Sequence, residues 1–238
     1  MKLNRFISLL ACVAVILVAA AQGVTSLPEG EYTNNLPCRL ISINPQKPGK
    51  ALLFLWLHGG VHDRKSHDLF REANHLNYCA ADDSIVNYLK RHGIKAVAMF
   101  PVCHRAVEPD CVDWLDCYDD IKHMIDDLVD KGIVDSDRIY LAGSSDGGAG
   151  TWDFASTHPE VFVTAISMSC SMPRQVAIPV FFFSTGHEGD CTERVEPLVR
   201  HGAPIQYKYC PQYKHGGDAA ECTDALLTKF FGLKKTKK

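Results

Sequence analysis

The sequence contains no C-x-x-C spacing among its ten cysteines, which argues against the commonest zinc and redox uses of that residue. It also lacks a basic excess, because 25 Lys and Arg stand against 28 Asp and Glu and the formal net charge is −3. A nucleic-acid-binding surface is therefore not expected. Internal repeats, low-complexity blocks and long linkers are missing as well. A chain of this length and composition predicts one globular domain with a substantial core.

The N-terminus carries two basic residues followed by an apolar segment at 6–21. This order, with small residues after it, is typical of a secretory signal peptide. We assign 1–23 to the signal, with cleavage between 21 and 26, 27–232 to the domain and 233–238 to a basic tail. The apolar segment is shorter than the roughly 20 residues of a spanning helix. We therefore expect a secreted or periplasmic protein with no stable membrane insertion after cleavage.

Cysteine is abundant in the part that would remain after cleavage. Export would bring these cysteines into an oxidising compartment, so disulfides are the expected use. Their number is odd and their pairing stays open. Three of them crowd one segment and are expected to staple it. The nine are Cys38, Cys79, Cys103, Cys111, Cys117, Cys170, Cys191, Cys210 and Cys222, and the crowded three are Cys103, Cys111 and Cys117.

Continuous apolar runs alternate with helical patterns along the rest of the chain. Runs that are apolar on both faces are typical of strands in a helix-covered parallel sheet. They lie at 51–57, 94–100, 139–142, 161–167 and 178–183. Apolar residues recur at helical spacing over 118–131 and again over 219–231, where we predict a terminal helix on one sheet face. The pattern predicts an α/β fold with a mostly parallel central sheet and helices on both faces.

The stretch AGSSDGGAG follows one of these predicted strands and precedes a predicted helix. Within it, Gly143, Ser145 and Gly147 fit the pattern G-x-S-x-G. Such a nucleophile elbow lifts the central serine above the sheet, and a side chain at either flanking glycine would clash. The pattern therefore identifies Ser145 as the candidate nucleophile and Ser144 as a bystander.

A serine nucleophile needs a base and an acid that orients the base. His215 lies on a loop between the last predicted strand and the terminal helix, where it could reach Ser145. The loop after the strand at 178–183 offers two acids, Glu188 and Asp190. We favour Asp190 because Gly189 precedes it and a predicted helix follows. Ungapped spacing from the preceding strand would instead favour Glu188, so both remain candidates.

An oxyanion hole would complete the site. The first strong strand ends in an HGG turn, and the backbone N–H groups of Gly60 and Asp146 are the candidate donors. The histidine of that turn, His58, is then structural. We expect the Asp146 side chain to point away, since a carboxylate aimed at the oxyanion would oppose it.

The same turn opens a segment rich in histidine and aspartate that could be interpreted as a zinc site. Its spacing matches none of the usual zinc-binding patterns, and the HGG turn already accounts for the first histidine. We therefore expect no metal. The residues concerned are His58, His62, Asp63, His67 and Asp68.

The segment 135–162, which reads DSDRIYLAGSSDGGAGTWDFASTHPEVF, resembles the nucleophile region of the α/β-hydrolase superfamily. It is most similar to small esterases of the dienelactone hydrolase, polyhydroxybutyrate depolymerase and feruloyl esterase type. The resemblance implies the α/β-hydrolase fold without a large lid domain. It also implies Ser145, His215 and Asp190 as the triad. Asp146 departs from the family, which usually has an uncharged residue there.

The resemblance further implies a serine esterase that uses no cofactor, and the N-terminal segment predicts that it is secreted. Its expected substrates are small-molecule esters or acyl and feruloyl esters linked to polysaccharide. Two alternatives remain: a serine peptidase of the prolyl-oligopeptidase type, and a non-catalytic binding module on a hydrolase fold. The sequence does not determine the acyl preference or the oligomeric state.

Overall fold

A computed structural model describes the central part of the chain. The described residues are 30–32, 36–60, 80–103, 106–108 and 111–235. At 30–32, 80–83, 106–108 and 111–112 the description covers the backbone alone.

An eight-stranded sheet forms the centre of the described structure, in the order β1-β2-β4-β3-β7-β8-β9-β10. The first two strands are antiparallel to their neighbours, and the other six run parallel. A separate antiparallel pair, β5 and β6, lies outside the sheet. The strands are β1 (Gly30–Tyr32), β2 (Cys38–Ile43), β3 (Ala51–Leu57), β4 (Ala96–Pro101), β5 (Ala106–Glu108), β6 (Cys111–Val112), β7 (Val134–Ser144), β8 (Thr164–Met168), β9 (Val180–Thr185) and β10 (Ile205–Cys210).

The segment 169–179, which joins β8 to β9, contains no helix. The other connections between the parallel strands include helices, as crossovers in such a sheet usually do. Two short 3₁₀ turns, Leu115–Cys117 and Gly217–Glu221, precede the second and the last helix. The helices are α1 (Ala80–Arg91), α2 (Tyr118–Asp130), α3 (Asp146–Thr157), α4 (Thr192–Arg200) and α5 (Asp224–Gly232).

Strand β3 shows why its sequence is apolar at every position. Leu53 and Leu55 face a core that includes side chains of α2, α3 and α4. Phe54 and Trp56 face a second core that includes side chains of α1 and α5. All seven residues of β3 are buried, because helices cover both faces of the sheet.

The predicted parallel sheet and its strands are therefore confirmed, with shifts of a few residues at most of the strand ends. The helix predicted over 118–131 begins at Tyr118 and ends at Asp130. The terminal pattern at 219–231 divides into the second 3₁₀ turn and α5. Tyr140 in β7 donates hydrogen bonds to the carbonyls of Phe231 (3.2 Å) and Leu233 (3.0 Å), so α5 does cover one sheet face.

Strand β10 was not predicted. Its residues alternate between buried and more exposed positions, because β10 pairs on one side with β9 and forms the edge of the sheet. An edge strand with one wet face carries polar residues and has no continuous apolar run. The predicted signal peptide lies outside the described residues, and so does the end of the predicted basic tail, 236–238.

None of the helices described by the structure has both the length and the apolar character needed to cross a membrane.

Candidate active site

Ser145 lies in the sharp turn between β7 and α3. Its backbone has φ 60° and ψ −123°, a region that costs a residue with a side chain roughly 1–3 kcal/mol. The turn is held because Ser145 N–H donates to the carbonyl of Met168, 3.0 Å away at the end of β8. Ser144, by contrast, is the buried last residue of β7. The strain is therefore concentrated at the serine that the motif identified.

The two flanking glycines are required by close backbone contacts. A Cβ on Gly143 would lie 2.2 Å from the carbonyl oxygen of Gly147, and a Cβ on Gly147 would lie 1.9 Å from that of Leu57. Gly59 is a third case, since its Cβ would lie 2.9 Å from the Cβ of Ser145. The HGG turn after β3 therefore packs directly against the candidate nucleophile.

Gly147→Ala should destabilise the protein by about 3 kcal/mol, because the backbone of β3 cannot move away from the new methyl group without disturbing the sheet. For a chain of this size, that loss lowers the melting temperature by roughly 6–12 °C. Thermal unfolding followed by circular dichroism measures the change.

Gly232→Ala is the matched control, because a Cβ at Gly232 would meet nothing within 4 Å. Its melting temperature should equal that of the wild type. A Gly147→Ala protein as stable as this control would contradict the close approach between α3 and β3.

His58 supports the HGG turn in its neutral form. Its Nδ1 donates to the carbonyl of Gly59 (2.6 Å), and its Nε2 accepts the N–H of Cys103 (3.0 Å). Burial lowers the pKa of His58 to about 4 and outweighs the opposing hydrogen bond to Gly59. The indole of Trp114 donates to the carbonyl of His58 (3.1 Å) and packs edge-on against its ring. His58 therefore has a structural role, as predicted.

The two candidate oxyanion donors belong to different elements: Gly60 to the HGG turn after β3, and Asp146 to the start of α3. Gly60 follows Gly59, where an added Cβ would lie 2.9 Å from the Cβ of Ser145. Asp146 is the first residue of α3, so its N–H points out of the positive end of a 12-residue helix. The function of these two N–H groups as oxyanion donors remains a prediction.

His215 forms a hydrogen bond with Glu188, and the distance between Nδ1 and Oε1 is 2.5 Å. The second carboxylate oxygen of Glu188 accepts the N–H (3.0 Å) and the hydroxyl (2.5 Å) of Thr185. Burial alone would raise the pKa of Glu188, but the hydrogen bonds from Thr185 and His215 outweigh it and the pKa lies below its usual value. An ionised Glu188 keeps the proton of His215 on Nδ1 and leaves Nε2 available as a base.

The expected contact between Asp190 and His215 is not formed, and Glu188 takes that position. The carboxylate of Asp190 instead accepts the N–H (2.9 Å) and hydroxyl (2.7 Å) of Thr192, where α4 begins, and the hydroxyl of Tyr207 (3.1 Å). Gly189 has φ 78° and donates its N–H to the carbonyl of Thr185 (3.0 Å). This tight turn folds Glu188 back toward the sheet and directs Asp190 to the start of α4.

A buried carboxylate fixes the loop that carries His215. Asp218 is fully buried and accepts both the N–H (2.7 Å) and the hydroxyl (2.6 Å) of Ser169. The Ser169 hydroxyl oxygen in turn accepts the N–H of Gly216 (2.8 Å). Ser145 is bonded to Met168 and Gly216 to Ser169, so the candidate nucleophile and base are anchored to consecutive residues at the end of β8. Burial raises the pKa of Asp218.

The sequence offered no signal for Ser169 and Asp218, which form this anchor. Glu188 carried a weak signal in its spacing from β9.

Three groups beside the candidate base could also bind a metal ion. His187, Glu188 and His215 offer ligand atoms that lie within 4.8 Å of one another. A cation held there would bind Glu188 and a ring nitrogen of His215, so it would compete with the serine chemistry. The zinc site considered at the sequence level falls mostly outside the described residues. Its one described member, His58, uses both ring nitrogens in hydrogen bonds.

A family model of the prolyl oligopeptidase family matches residues 115–173, which is about a quarter of the chain and includes the elbow. A search of curated protein sequences finds no match.

Solved structures show the fold. A thermostable esterase has a TM-score of 0.62 at 17% identity, over 90% of this chain and 64% of its own length. A fluorophosphonate-binding serine hydrolase of Staphylococcus aureus has a TM-score of 0.59 at 15% identity, over 85% of this chain and 96% of its own.

A feruloyl esterase module of Clostridium thermocellum, solved with sinapinate, has a TM-score of 0.59 at 12% identity, over 89% of both chains. Together these likenesses confirm the predicted α/β-hydrolase fold. Within the described ranges, no further domain is inserted into it.

Proposed function

We propose that this chain, whose fold is that of the α/β-hydrolases, is a serine hydrolase that cleaves carboxylic esters through an acyl-enzyme. One observation carries the proposal: a strained, glycine-flanked Ser145 and a His215 paired with Glu188 are anchored to consecutive residues at the end of β8. Strain of this kind, beside a base oriented by an acid, is typical of an activated nucleophile.

In the proposed reaction, Ser145 Oγ attacks the ester carbonyl while His215 Nε2 takes its proton. The N–H groups of Gly60 and Asp146 stabilise the negative oxygen of the tetrahedral intermediate. His215 then returns the proton to the leaving alcohol, and an acyl group remains on Ser145. Water, deprotonated by His215, hydrolyses the acyl-enzyme and frees the serine. Glu188 stays ionised throughout and stabilises the imidazolium.

The proposed substrates are small-molecule esters or esters linked to polysaccharide, and the protein would meet them outside the cytoplasm if its N-terminal segment directs export. The ester class is supported by the esterase names among the structurally similar proteins. No cofactor is needed for the steps above, since every proton and charge is handled by this chain's own groups.

Purified protein tested on p-nitrophenyl acetate, p-nitrophenyl butyrate and methyl ferulate should release product from at least one of them. A fluorophosphonate probe should label it with loss of that activity. Inactivity on all three esters together with no labelling would contradict the proposal and favour a non-catalytic binding module on this fold.

A second candidate function is peptide hydrolysis, favoured by the match of residues 115–173 to the prolyl oligopeptidase family. The same nucleophile, base and acid would serve it, because acyl transfer from an amide uses the same groups. Hydrolysis of a glycyl-prolyl p-nitroanilide, compared with hydrolysis of the esters, distinguishes the two candidate functions. A kcat/KM on the anilide above that on every ester would assign the protein to the peptidases.

A further inference from the structure

Two buried cysteines meet behind the HGG turn. Cys103 follows β4, and Cys117 ends the 3₁₀ turn before α2. The exposed fractions of these two residues are 1% and 0%, and their sulfur atoms lie 2.8 Å apart. This separation is closer than ordinary van der Waals contact between two sulfur atoms. A closure of about 0.8 Å would reach the disulfide bond length.

Both segments that carry these cysteines also hold His58. The N–H of Cys103 donates to His58 Nε2, and Trp114, three residues before Cys117, donates to the His58 carbonyl. Trp114 is in turn pressed against α3, because a Cβ on Gly150 would lie 2.7 Å from three atoms of its side chain. A covalent bond between the two sulfur atoms would fix the two contacts to His58 relative to each other.

We propose that Cys103 and Cys117 form an intramolecular disulfide that locks the support of the HGG turn. The bond would close a loop between residues separated by 14 positions. Such a loop loses conformational freedom in the unfolded chain and stabilises the folded one. The existence of the bond does not depend on the proposed function.

The oxidant is a small-molecule disulfide such as oxidised glutathione. One cysteine thiolate attacks it, which releases one small thiol and leaves a mixed disulfide on the protein. The second thiolate attacks the protein sulfur of that mixed disulfide, which forms the Cys103–Cys117 bond and releases the second small thiol. The two cysteines lose two electrons, the oxidant gains two, and the two cysteine protons end on the released thiols. Because both sulfur atoms are buried in the folded protein, the exchange has to occur during folding. Burial then shields the finished disulfide from reduction by small thiols.

The test is peptide mapping of the full chain refolded from urea in reduced and oxidised glutathione. Trapping of thiols at acid pH is followed by digestion with trypsin and then with a protease that cleaves before aspartate. The second cleavage separates Cys111 from Cys117, because Asp113 and Asp116 lie between them. We expect a linked pair of peptides containing Cys103 and Cys117, lighter than the reduced pair by two hydrogen atoms.

Alkylation of both cysteines as thiols would overturn the proposal, and so would a link from either of them to Cys111. Because the mapping uses the wild-type chain, a variant that fails to fold cannot obscure the answer.

A second measurement uses the double variant Cys103→Ser, Cys117→Ser. Dithiothreitol should lower the melting temperature of the oxidised wild type by roughly 5–10 °C. In the double variant, the fall in melting temperature caused by dithiothreitol should be smaller by that amount. An equal response in both proteins would assign the effect to other cysteines and contradict the proposal. A protein with the linked peptides that neither hydrolyses the three esters nor reacts with the fluorophosphonate probe would refute the proposed function and leave the disulfide in place.

Discussion

Ser145→Ala should lower kcat/KM for p-nitrophenyl ester hydrolysis by about 10⁴-fold or more, because no other group can form the acyl-enzyme. Ser144→Ala should keep most of the activity. Ser144 is the buried last residue of β7, whereas Ser145 occupies the strained turn beside Gly59. The two variants make the same substitution at neighbouring positions, so each is a matched control for the other.

Initial rates measure the effect, and circular dichroism confirms that both variants fold. Mass spectrometry of the fluorophosphonate-treated wild type should locate the adduct on the peptide that contains Ser145. Loss of activity in Ser144→Ala with retention in Ser145→Ala would refute the elbow assignment. Equal, full activity in both would place the reaction at another group.

Glu188→Gln should reduce kcat by about 10³- to 10⁴-fold with little change in KM, while Asp190→Asn should change kcat by less than about threefold. A glutamine can donate its amide N–H to Nδ1 of His215 and so stabilise the wrong tautomer, in which Nε2 carries the proton. Asp190 instead bonds Thr192 and Tyr207, so its variant should affect α4 more than the chemistry.

Steady-state kinetics on one p-nitrophenyl ester compares the two variants, and their melting temperatures show whether either has lost structure. A large fall in kcat for Asp190→Asn together with an unchanged Glu188→Gln would restore the assignment that the sequence favoured. Both substitutions remove one negative charge and keep the side-chain shape, so a general electrostatic effect would lower both equally.

There is a physical reason why the sequence favoured Asp190 although Glu188 is the acid that contacts His215. Both lie in one short loop after β9, and the sequence shows only that an acid is available there. The choice depends on Gly189, whose positive φ turns the chain between them, and on Thr185, which holds the carboxylate of Glu188. It depends also on where the loop after β10 places His215, and β10 itself has no apolar signature because it is an edge strand.

The amino-acid sequence by itself determined the fold class, most of the parallel strands and the position of the serine elbow. These features are local: a strand buried on both faces must be apolar throughout, and a strained turn between close backbones must be flanked by glycine. Only the tertiary structure decided which acid meets His215, how Asp218 and Ser169 anchor its loop, and that Cys103 lies against Cys117. Those pairings join residues that are far apart in the chain or in different elements, and only the packing of the sheet and its loops brings their side chains within bonding distance.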